Sequence, residues 1–276
     1  MLEVKSLSVK LKGKQILKDV NCSFDSGIHG LLGANGAGKT TLMRSMLGLY
    51  PQANGDAIYK ELPLEKCRVG YLPQKFGLFP NMTVREALTY LGTTKGMSKS
   101  ALKQDIEKCV KEVNLEDKID SRISTLSGGM VRRVGIAQAL MGNPDIVILD
   151  EPTAGLDPEE RLRFKNMLKK QNEDKIIIVS THIVDDVEYL CSHVTVMDAG
   201  KIIQQDSSEN IRLAAKGRVF AITMEQAEKA DTSFFVIKEF EKSQKKMLRV
   251  AMRATTGYEE LEPTIEDGYI CLVKGI

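Results

Sequence analysis

The chain has 276 residues, of which 42% are hydrophobic and 28% are charged, a composition typical of a folded protein with one large domain and an appendage. The formal net charge of +2 gives no support for a nucleic-acid partner, and the five cysteines, which form no C-x-x-C pair, indicate neither a zinc site nor a disulfide framework. No apolar run is long enough to cross a bilayer and residues 1–9 lack the apolar core of a signal peptide, so we expect a cytosolic protein.

The N-terminal part predicts antiparallel strands followed by a nucleotide-binding unit. Apolar and polar residues alternate over residues 7–11 and again over 20–24, as in half-buried strands. Residues 28–32 then predict a strand, 33–39 a loop and 40–49 a helix ended by glycine and proline. Strand, loop and helix therefore follow one another in the order that phosphate-binding loops require.

The middle of the chain predicts helices inserted into a parallel sheet. Thr83 and Glu86 form a capping box over the start of a helix with one apolar face. Two uninterrupted apolar strands then follow at residues 146–149 and 176–179, as expected for a sheet that is buried on both faces. We therefore predict that a helical subdomain over about residues 81–143 interrupts one core.

The C-terminal part predicts a small additional unit. After a hairpin that turns at residues 198–200, strand patterns recur at 219–223, 234–240 and 247–252. We therefore predict a nucleotide-binding domain over residues 1–210 and a small accessory domain over residues 211–276.

The first chemical motif is GANGAGKT at residues 33–40, which fits G-x-x-x-x-G-K-[ST]. Its glycines let backbone N–H groups approach phosphates, Lys39 offers a positive charge to the outer phosphates, and the Thr40 hydroxyl suits Mg²⁺. The strand and helix on either side make a mere glycine-rich turn the weaker interpretation. The predicted nucleotide-binding residues here are Gly33, Asn35, Gly36, Gly38, Lys39 and Thr40 of the motif, together with Thr41 directly after it.

Three further candidates follow the two apolar strands. Asp150, at the end of one strand, is placed to hold Mg²⁺, and Glu151 to polarise a water that attacks the terminal phosphate. His182 follows the next strand and would emerge at the same edge of the sheet, where it could donate to that phosphate. The alternatives are a pair of salt-bridged surface acids and a packed or solvated histidine.

A second phosphate cradle precedes these acids in the chain. Leu126 to Met130 place a serine and two glycines at the start of a predicted helix, where exposed backbone N–H groups favour an anion. One chain then presents two phosphate-facing surfaces, the second formed by Ser127, Gly128 and Gly129. This arrangement suggests a site that two subunits share.

Taken in order, these motifs resemble the ATP-binding cassette (ABC) ATPases over residues 1–207. Within that resemblance, Gln74 looks like the glutamine that contacts the metal, and residues 75–80 would lean toward a membrane partner. Residues 126–130 look like the signature motif, which binds the terminal phosphate held by the opposite subunit. Asp157 lies in a segment that resembles the loop linking the two sites of the dimer. The resemblance implies an α/β phosphate-loop NTPase core, a mixed sheet with N-terminal antiparallel strands, an inserted helical subdomain and a small C-terminal α+β extension.

Two positions depart from the family pattern. Members commonly place an aromatic side chain in the first hairpin to stack on adenine, whereas Val9, Leu11 and Lys12 occupy that neighbourhood here. Leu11 could still pack against the base, so we expect ATP binding with weak base selectivity. Met130 replaces the usual last glutamine of the signature, but the residues that face phosphate remain.

The C-terminal segment from Glu262 to Ile270 resembles an acidic and aromatic ending of the branch that exports drugs, antimicrobial peptides, lipids or polysaccharides. Residues 71–83 also look most like that branch. Two interpretations of this ending are equally good: a small packing domain or dimer contact, and a regulatory role.

The resemblance implies an ATP-binding and ATP-hydrolysing subunit that uses Mg²⁺, with Glu151, His182 and Lys39 as catalytic residues and Thr40, Gln74 and Asp150 as metal ligands. Two chains, in a homodimer or a heterodimer, would close on ATP and drive separate permease subunits at the cytoplasmic face of the plasma membrane, without a nucleic-acid partner. The alternatives are a soluble mechanical ATPase of the same family and a regulatory module without turnover.

Overall fold

The computed structural model describes residues 1–51, 53–170, 174–229, 233–242, 245–253 and 257–276. Its strands are β1 (Leu2–Leu11), β2 (Lys14–Phe24), β3 (Gly27–Leu32), β4 (Ala53–Tyr59), β5 (Leu62–Pro63), β6 (Val69–Leu72), β7 (Ile146–Asp150), β8 (Ile176–Thr181), β9 (His193–Asp198), β10 (Lys201–Ser207), β11 (Val219–Thr223), β12 (Phe234–Lys242), β13 (Lys245–Met252) and β14 (Glu259–Glu260). Its α-helices are α1 (Lys39–Met46), α2 (Val84–Thr94), α3 (Lys99–Glu112), α4 (Gly128–Leu140), α5 (Pro158–Lys170), α6 (Val184–Leu190), α7 (Ser208–Leu213), α8 (Met224–Glu228) and α9 (Ile265–Lys274). Short 3-10 turns lie at Leu64–Lys66, Glu116–Lys118 and Ile123–Thr125.

The central sheet has the strand order β10-β9-β3-β8-β7-β6. Neighbouring strands run parallel from β6 through β9, and β10 returns antiparallel to β9. Every residue of β7 and β8 is buried, which confirms the interpretation of their uninterrupted apolar runs as strands covered on both faces. Because these strands are parallel, the loops that follow β3, β6, β7 and β8 emerge at the same edge of the sheet.

The N-terminal strands form a separate antiparallel sheet in the order β2-β1-β4-β5. The predicted hairpin of the first two strands is confirmed, and its apolar side packs with α1 in one buried cluster. The helix prediction to residue 49 was too long. Helix α1 ends at Met46, and Gly48 takes a left-handed conformation (φ +69°) that stops the helical hydrogen-bond pattern.

Helices α2, α3 and α4 lie between β6 and β7 in the chain. The predicted capping box is present, since Thr83 accepts from the backbone of Glu86 and the Glu86 carboxylate accepts from the backbone of Thr83. The apolar face of α2 packs with α3 and α4 in the same buried cluster as β7 and β8. This shared packing places α4 directly against the central sheet.

The C-terminal part contains a third sheet, with the strand order β12-β13-β11-β14. One side of this sheet has its own buried cluster, which includes Phe220, Ile222 and Val250. Helix α9 instead joins the main core through Ile265, beside Ile211 of α7. The division of the chain at residue 210 stays a prediction.

The acidic and aromatic ending forms the start of α9 and fastens it to its surroundings. Asp267 is fully buried and pairs with Arg249, while the backbone N–H of Ile265 donates to the Glu188 carboxylate on α6 at 3.1 Å. A Cβ atom at Gly268 would lie 1.8 Å from the Ile211 carbonyl oxygen, so only glycine permits this approach of α9 to α7. Among the helices that the structure describes, none has the length and apolar character needed to span a bilayer.

Candidate functional site

The loop between β3 and α1 has the geometry of a phosphate cradle. Gly36 (φ +85°) and Gly38 (φ +109°) adopt left-handed conformations that side chains rarely tolerate. A Cβ atom at Gly33 would lie 2.4 Å from the Met197 carbonyl oxygen, so this position also requires glycine. The loop leads into α1, whose first N–H groups face the cradle without intrahelical partners.

Lys39 is 5% exposed and its ammonium folds back over the loop. Its Nζ atom donates to the carbonyl oxygens of Gly33 at 2.6 Å and Ala34 at 3.1 Å. Burial lowers the pKa of Lys39, and the carboxylates of Glu151 and Asp150 oppose that effect. A buried lysine with two exchangeable carbonyl partners is well placed to turn toward an anion.

An open cleft of about 340 Å³ lies in front of this loop. The predicted phosphate-loop residues meet Gln74 and Glu151 there, although these two follow different strands of the central sheet. Its lining comprises Ile16, Asn35, Gly36, Gly38, Lys39, Thr40, Thr41, Gln74 and Glu151.

Asp150 ends β7 and is completely buried. Its Oδ1 atom accepts a hydrogen bond from Ser180 Oγ at 2.7 Å, and its buried Oδ2 atom has no hydrogen-bond partner among the described residues. Ser180 was not predicted from the sequence, although its hydroxyl near the end of the strand next to β7 was an available signal. A buried carboxylate oxygen without a partner is costly unless a bound group satisfies it.

Glu151 has a strained backbone and a positioned carboxylate. Its φ of +48° lies in the left-handed region, which a glutamate seldom adopts, and its N–H group donates to Ser180 Oγ at 3.0 Å. Its Oε2 atom accepts from Gln74 Nε2 at 3.2 Å, and its Oε1 atom lies 3.3 Å from His182 Nδ1. The structure therefore brings together three candidates that are widely separated in sequence.

The residues predicted to hold Mg²⁺ fit a hard cation. Thr40 offers a hydroxyl oxygen, Gln74 an amide oxygen and Asp150 a carboxylate, which are the oxygen ligands that Mg²⁺ prefers. The unpartnered Oδ2 atom of Asp150 supports this fit. Within the described ranges, no group of three histidine, cysteine or acidic side chains could cage a metal alone. Such a site suits a cation held jointly by the protein and phosphate oxygens.

The signature segment forms a second exposed helix start. Ser127 precedes α4, and its Oγ atom accepts from the Met130 N–H at 3.2 Å, so the serine caps the helix. Ser127 and Gly128 are exposed and Gly129 is half-buried. A Cβ atom at Gly128 would meet no atom within 4 Å. None of these three residues lines the cleft that contains Lys39.

Two other predicted contact residues have local structural roles. Asp157 is exposed, and its Oδ1 atom accepts from the Glu160 N–H at 2.8 Å in the first turn of α5. Leu11 is partly buried against the cluster of the N-terminal sheet, while Ile16 lines the cleft. Ile16 was not predicted, because the sequence does not show that Ile16 and not Leu11 faces the cleft.

Two residues outside the predicted set also reach the loops of the site. Arg132 of α4 donates to backbone carbonyls on both sides of the cleft, including those of Gln74 and Glu151. Tyr269 of α9 interacts with the phosphate loop: burial raises the pKa of its hydroxyl, and a backbone hydrogen bond from Ala34 opposes that rise.

Comparisons with known proteins agree with this geometry. The family model described as ABC transporter matches residues 17–154. The chain is 34% identical to the linearmycin resistance ATP-binding protein LnrL of Bacillus subtilis, over 74% of this chain and 68% of that protein. It is 39% identical to the Nod factor export ATP-binding protein I of Cupriavidus metallidurans, over 71% of this chain and 68% of that protein.

Solved structures show the same architecture. An ATP-binding subunit of an ABC transporter superposes with a TM-score of 0.70 at 27% identity, over 77% of this chain and 92% of that one. A dimeric bacterial ABC transporter cassette superposes with a TM-score of 0.67 at 25% identity, over 75% of this chain and 98% of that one. With its phosphate cradle, paired acids and signature helix in this arrangement, the chain belongs to the ABC transporter family as an ATP-binding subunit that hydrolyses ATP.

Proposed function

We propose that this subunit drives export through separate membrane permease subunits by closing on ATP as a head-to-tail dimer. One observation carries the proposal: of the two predicted phosphate-binding helix starts, that of α1 lies in a cleft with Lys39, Gln74 and Glu151, and that of α4 does not line this cleft. Ser127 and Gly128 are exposed, and neither lines that cleft. Head-to-tail pairing would bring each signature helix to the nucleotide in the other chain.

Within each cleft, the proposed roles follow from the contacts. Lys39 would exchange its two carbonyl partners for phosphate oxygens, and Thr40, Gln74 and Asp150 would hold Mg²⁺, which supplies neutralisation of phosphate charge when bound. Glu151 would accept a proton from the attacking water. The water oxygen bonds to the terminal phosphorus, the bond from that phosphorus to the bridging oxygen breaks, and ADP retains the bridging oxygen.

The contacts of Glu151 support its assignment as the base. Gln74 and His182 contact different oxygens of its carboxylate, so the group is held from both sides in the cleft. His182 is 43% exposed in its side chain and could turn to donate to the terminal phosphate. Loss of that phosphate would remove the group that both chains hold, and the interface would open.

A surface next to the glutamine loop suits the permease. Phe79 and Tyr90 are 58% and 48% exposed and contact each other edge to face, with ring centroids 5.9 Å apart. Exposed aromatic side chains that pack together are typical anchors of protein interfaces. Since Phe79 lies five residues after Gln74, permease movement at this aromatic pair could reach the cleft directly. The partner would place this subunit at the cytoplasmic face of the plasma membrane.

Export is the direction that the relatives support. One is named for export of Nod factor and another for linearmycin resistance.

For base recognition, Ile16 in the cleft lining is the candidate contact, and an aliphatic side chain discriminates poorly between purines. We therefore propose comparable affinities for ATP and GTP.

The test combines membrane association with turnover. The full chain should copurify with an integral membrane protein and release phosphate from ATP, and Phe79→Ser should weaken the association because it removes half of the aromatic pair. Leu62→Ser is the matched control, since Leu62 is 52% exposed on the edge of the N-terminal sheet. A Phe79→Ser chain that copurifies as well as the Leu62→Ser chain would reject this docking surface, and absence of any membrane partner would reject the transport role.

A further inference from the structure

Arg132 connects the signature helix to both loops of the catalytic edge. It lies five residues after Ser127 in α4 and is 8% exposed. Its guanidinium reaches the segment after β6 and the segment after β7 at the same time. The acceptors are the backbone carbonyls of Pro73 (2.9 Å), Gln74 (2.9 Å), Asp150, Glu151 (2.7 Å) and Pro152 (3.3 Å).

The donors and acceptors match in number. A guanidinium has five N–H groups, and here Nε makes one of these bonds while each terminal nitrogen makes two. Lysine has three donors around a point charge and could not reproduce the pattern. Since burying a cation is costly, the carbonyl dipoles and the nearby Asp150 and Glu151 carboxylates must offset that cost.

The Glu151 backbone shows what this connection holds in place. A left-handed backbone conformation is strained for glutamate, so it persists only where several contacts hold the backbone in place. Ser180 binds the N–H group of Glu151, and Arg132 binds its carbonyl oxygen. Arg132 and Ser180 therefore restrain the Glu151 backbone on both sides of its Cα atom, and this backbone orients the Glu151 carboxylate.

The rest of α4 packs closely against β6 and the loop that follows it. A Cβ atom at Gly135 would lie 2.7 Å from the side chains of Leu72 and Phe76, and one at Gly70 would lie 1.9 Å from the Ala139 carbonyl oxygen. Because α4 and β6 approach each other this closely at their glycines, α4 cannot slide over β6 without steric clashes. A displacement of α4 must therefore move the glutamine loop or break these contacts.

We propose that Arg132 is a positioning residue that makes the signature helix and the chain's own Gln74 and Glu151 move as one unit. The inference rests on the head-to-tail dimer proposed above. When Ser127 contacts the nucleotide in the partner subunit, the position of α4 would then fix the positions of Gln74 and Glu151 in the first chain. The two ATP sites of the dimer are thereby coupled, and each nucleotide prepares the opposite site for hydrolysis.

The test substitutes lysine, which keeps the charge but at most three of the five bonds. In the full chain, Arg132→Lys should lower kcat for ATP hydrolysis about 10- to 100-fold, because small displacements of catalytic groups have effects of this size. The affinity for a non-hydrolysable ATP analogue should stay within about threefold, since Arg132 is not in the cleft lining. The Hill coefficient for ATP should fall toward one.

Arg133→Lys is the matched control. Arg133 is the next residue of α4, but it donates to the carbonyls of Val113 and Asn114 and pairs with Glu160, away from Gln74 and Glu151. Its kcat should stay within about threefold of wild type. Equal losses of kcat in both variants would show that any damage to α4 suffices, which would overturn the inference.

Further outcomes separate this inference from the proposed function. The Glu151→Gln chain should form an ATP-dependent dimer, and Arg132→Lys in that background should still form it. If that dimer forms and Arg132→Lys keeps wild-type kcat, or loses ATP affinity as much as kcat, the coupling role is wrong and the dimer stands. If Glu151→Gln stays monomeric with ATP, the proposed dimer is wrong and the inference fails with it.

Discussion

The phosphate loop and the signature segment use the same local device, a helix start preceded by a small-residue turn, yet they are differently surrounded. At α1, Lys39 is buried beside its own loop and the cleft adds Gln74 and Glu151. At α4, Ser127 caps its own helix and a side chain at Gly128 would meet open space. A helix start attracts phosphate through its free backbone N–H groups, whereas hydrolysis also needs charged neighbours from other strands.

The difference arises from what precedes each helix. Helix α1 follows β3, whose neighbour β8 leads to His182, and β7 beside β8 ends in Asp150. Helix α4 follows the 3-10 turn Ile123–Thr125 and does not directly follow a strand of the central sheet. Only the first helix start therefore lies where parallel strands deliver catalytic side chains.

The largest expected effect is on turnover at the complete site. Glu151→Gln should lower kcat about 10²- to 10⁴-fold, because the amide cannot accept the proton from water. Nucleotide binding should remain, and the ATP-bound dimer should accumulate. Phosphate release and size-exclusion chromatography with ATP measure both. Glu159→Gln is the control, since Glu159 is exposed and paired with Arg163; turnover of the Glu151→Gln chain near that of the control would reject the assignment.

A smaller effect is expected for nucleotide affinity. Lys39→Ala should weaken ATP binding about 10- to 100-fold, the equivalent of losing one or two charged hydrogen bonds to phosphate. Titration calorimetry measures the affinity, and thermal unfolding shows whether the loop carbonyls that lose their partner destabilise the chain. Lys60→Ala removes an exposed lysine as the control. Equal affinities of the two variants would contradict the phosphate contact.

The signature side should respond in the dimer and not in the monomer. Gly128→Leu should weaken the ATP-dependent dimer about tenfold, because the new side chain would protrude from an interface position. ATP affinity and monomer unfolding should match those of wild type, since no atom lies within 4 Å of the added Cβ atom. Lys99→Leu, at the exposed start of α3, is the control. Undiminished dimer formation by Gly128→Leu would mean that this helix start faces no partner.

The remaining prediction is on stability and not on nucleotide or dimer, and it concerns the docking of α9, which lies outside both phosphate-binding segments. Burial acts to raise the pKa of Asp267, but hydrogen bonds from Arg249 and Thr264 outweigh it and hold this pKa below its ordinary value of 3.8. The stabilisation is therefore fully present above about pH 4 and is lost as the pH falls through the lowered pKa. Asp267→Asn should lower the free energy of unfolding by about 2–3 kcal/mol at pH 7, because it removes the charge from the hydrogen bonds with Arg249 and Thr264.

Unfolding of wild type and Asp267→Asn by urea at a series of pH values checks this linkage. The difference between the two chains should shrink below pH 4 because protonated aspartic acid and asparagine are both neutral. Glu262→Gln is the control, since the Glu262 side chain is 96% exposed. A difference between wild type and Asp267→Asn that is independent of pH would reject the ion pair as its source.

Local patterns predicted much of the fold and the site. The hairpin at residues 198–200 is confirmed between β9 and β10, because Ala199 and Gly200 both take the positive φ values of a tight turn. The strands ending at Asp150 and before His182 were also predicted, since a buried parallel strand needs a continuous apolar run. The end of α1 was missed by three residues because Gly48 in the left-handed conformation outweighed the apolar pattern.

The sequence by itself determined the phosphate loop, the capping box of Thr83 and Glu86 and the paired acids, because glycine conformations, caps and strand ends depend on neighbouring residues. Only the tertiary structure decided that Ser180 binds Asp150, that Ile16 lines the cleft and that Arg132 joins Gln74 to Glu151. Those contacts depend on strand register and helix packing across many residues of sequence. Contacts between residues this far apart in sequence leave no periodic pattern in a single chain. The packing of α4 against β6 is therefore what connects the signature helix to the catalytic edge.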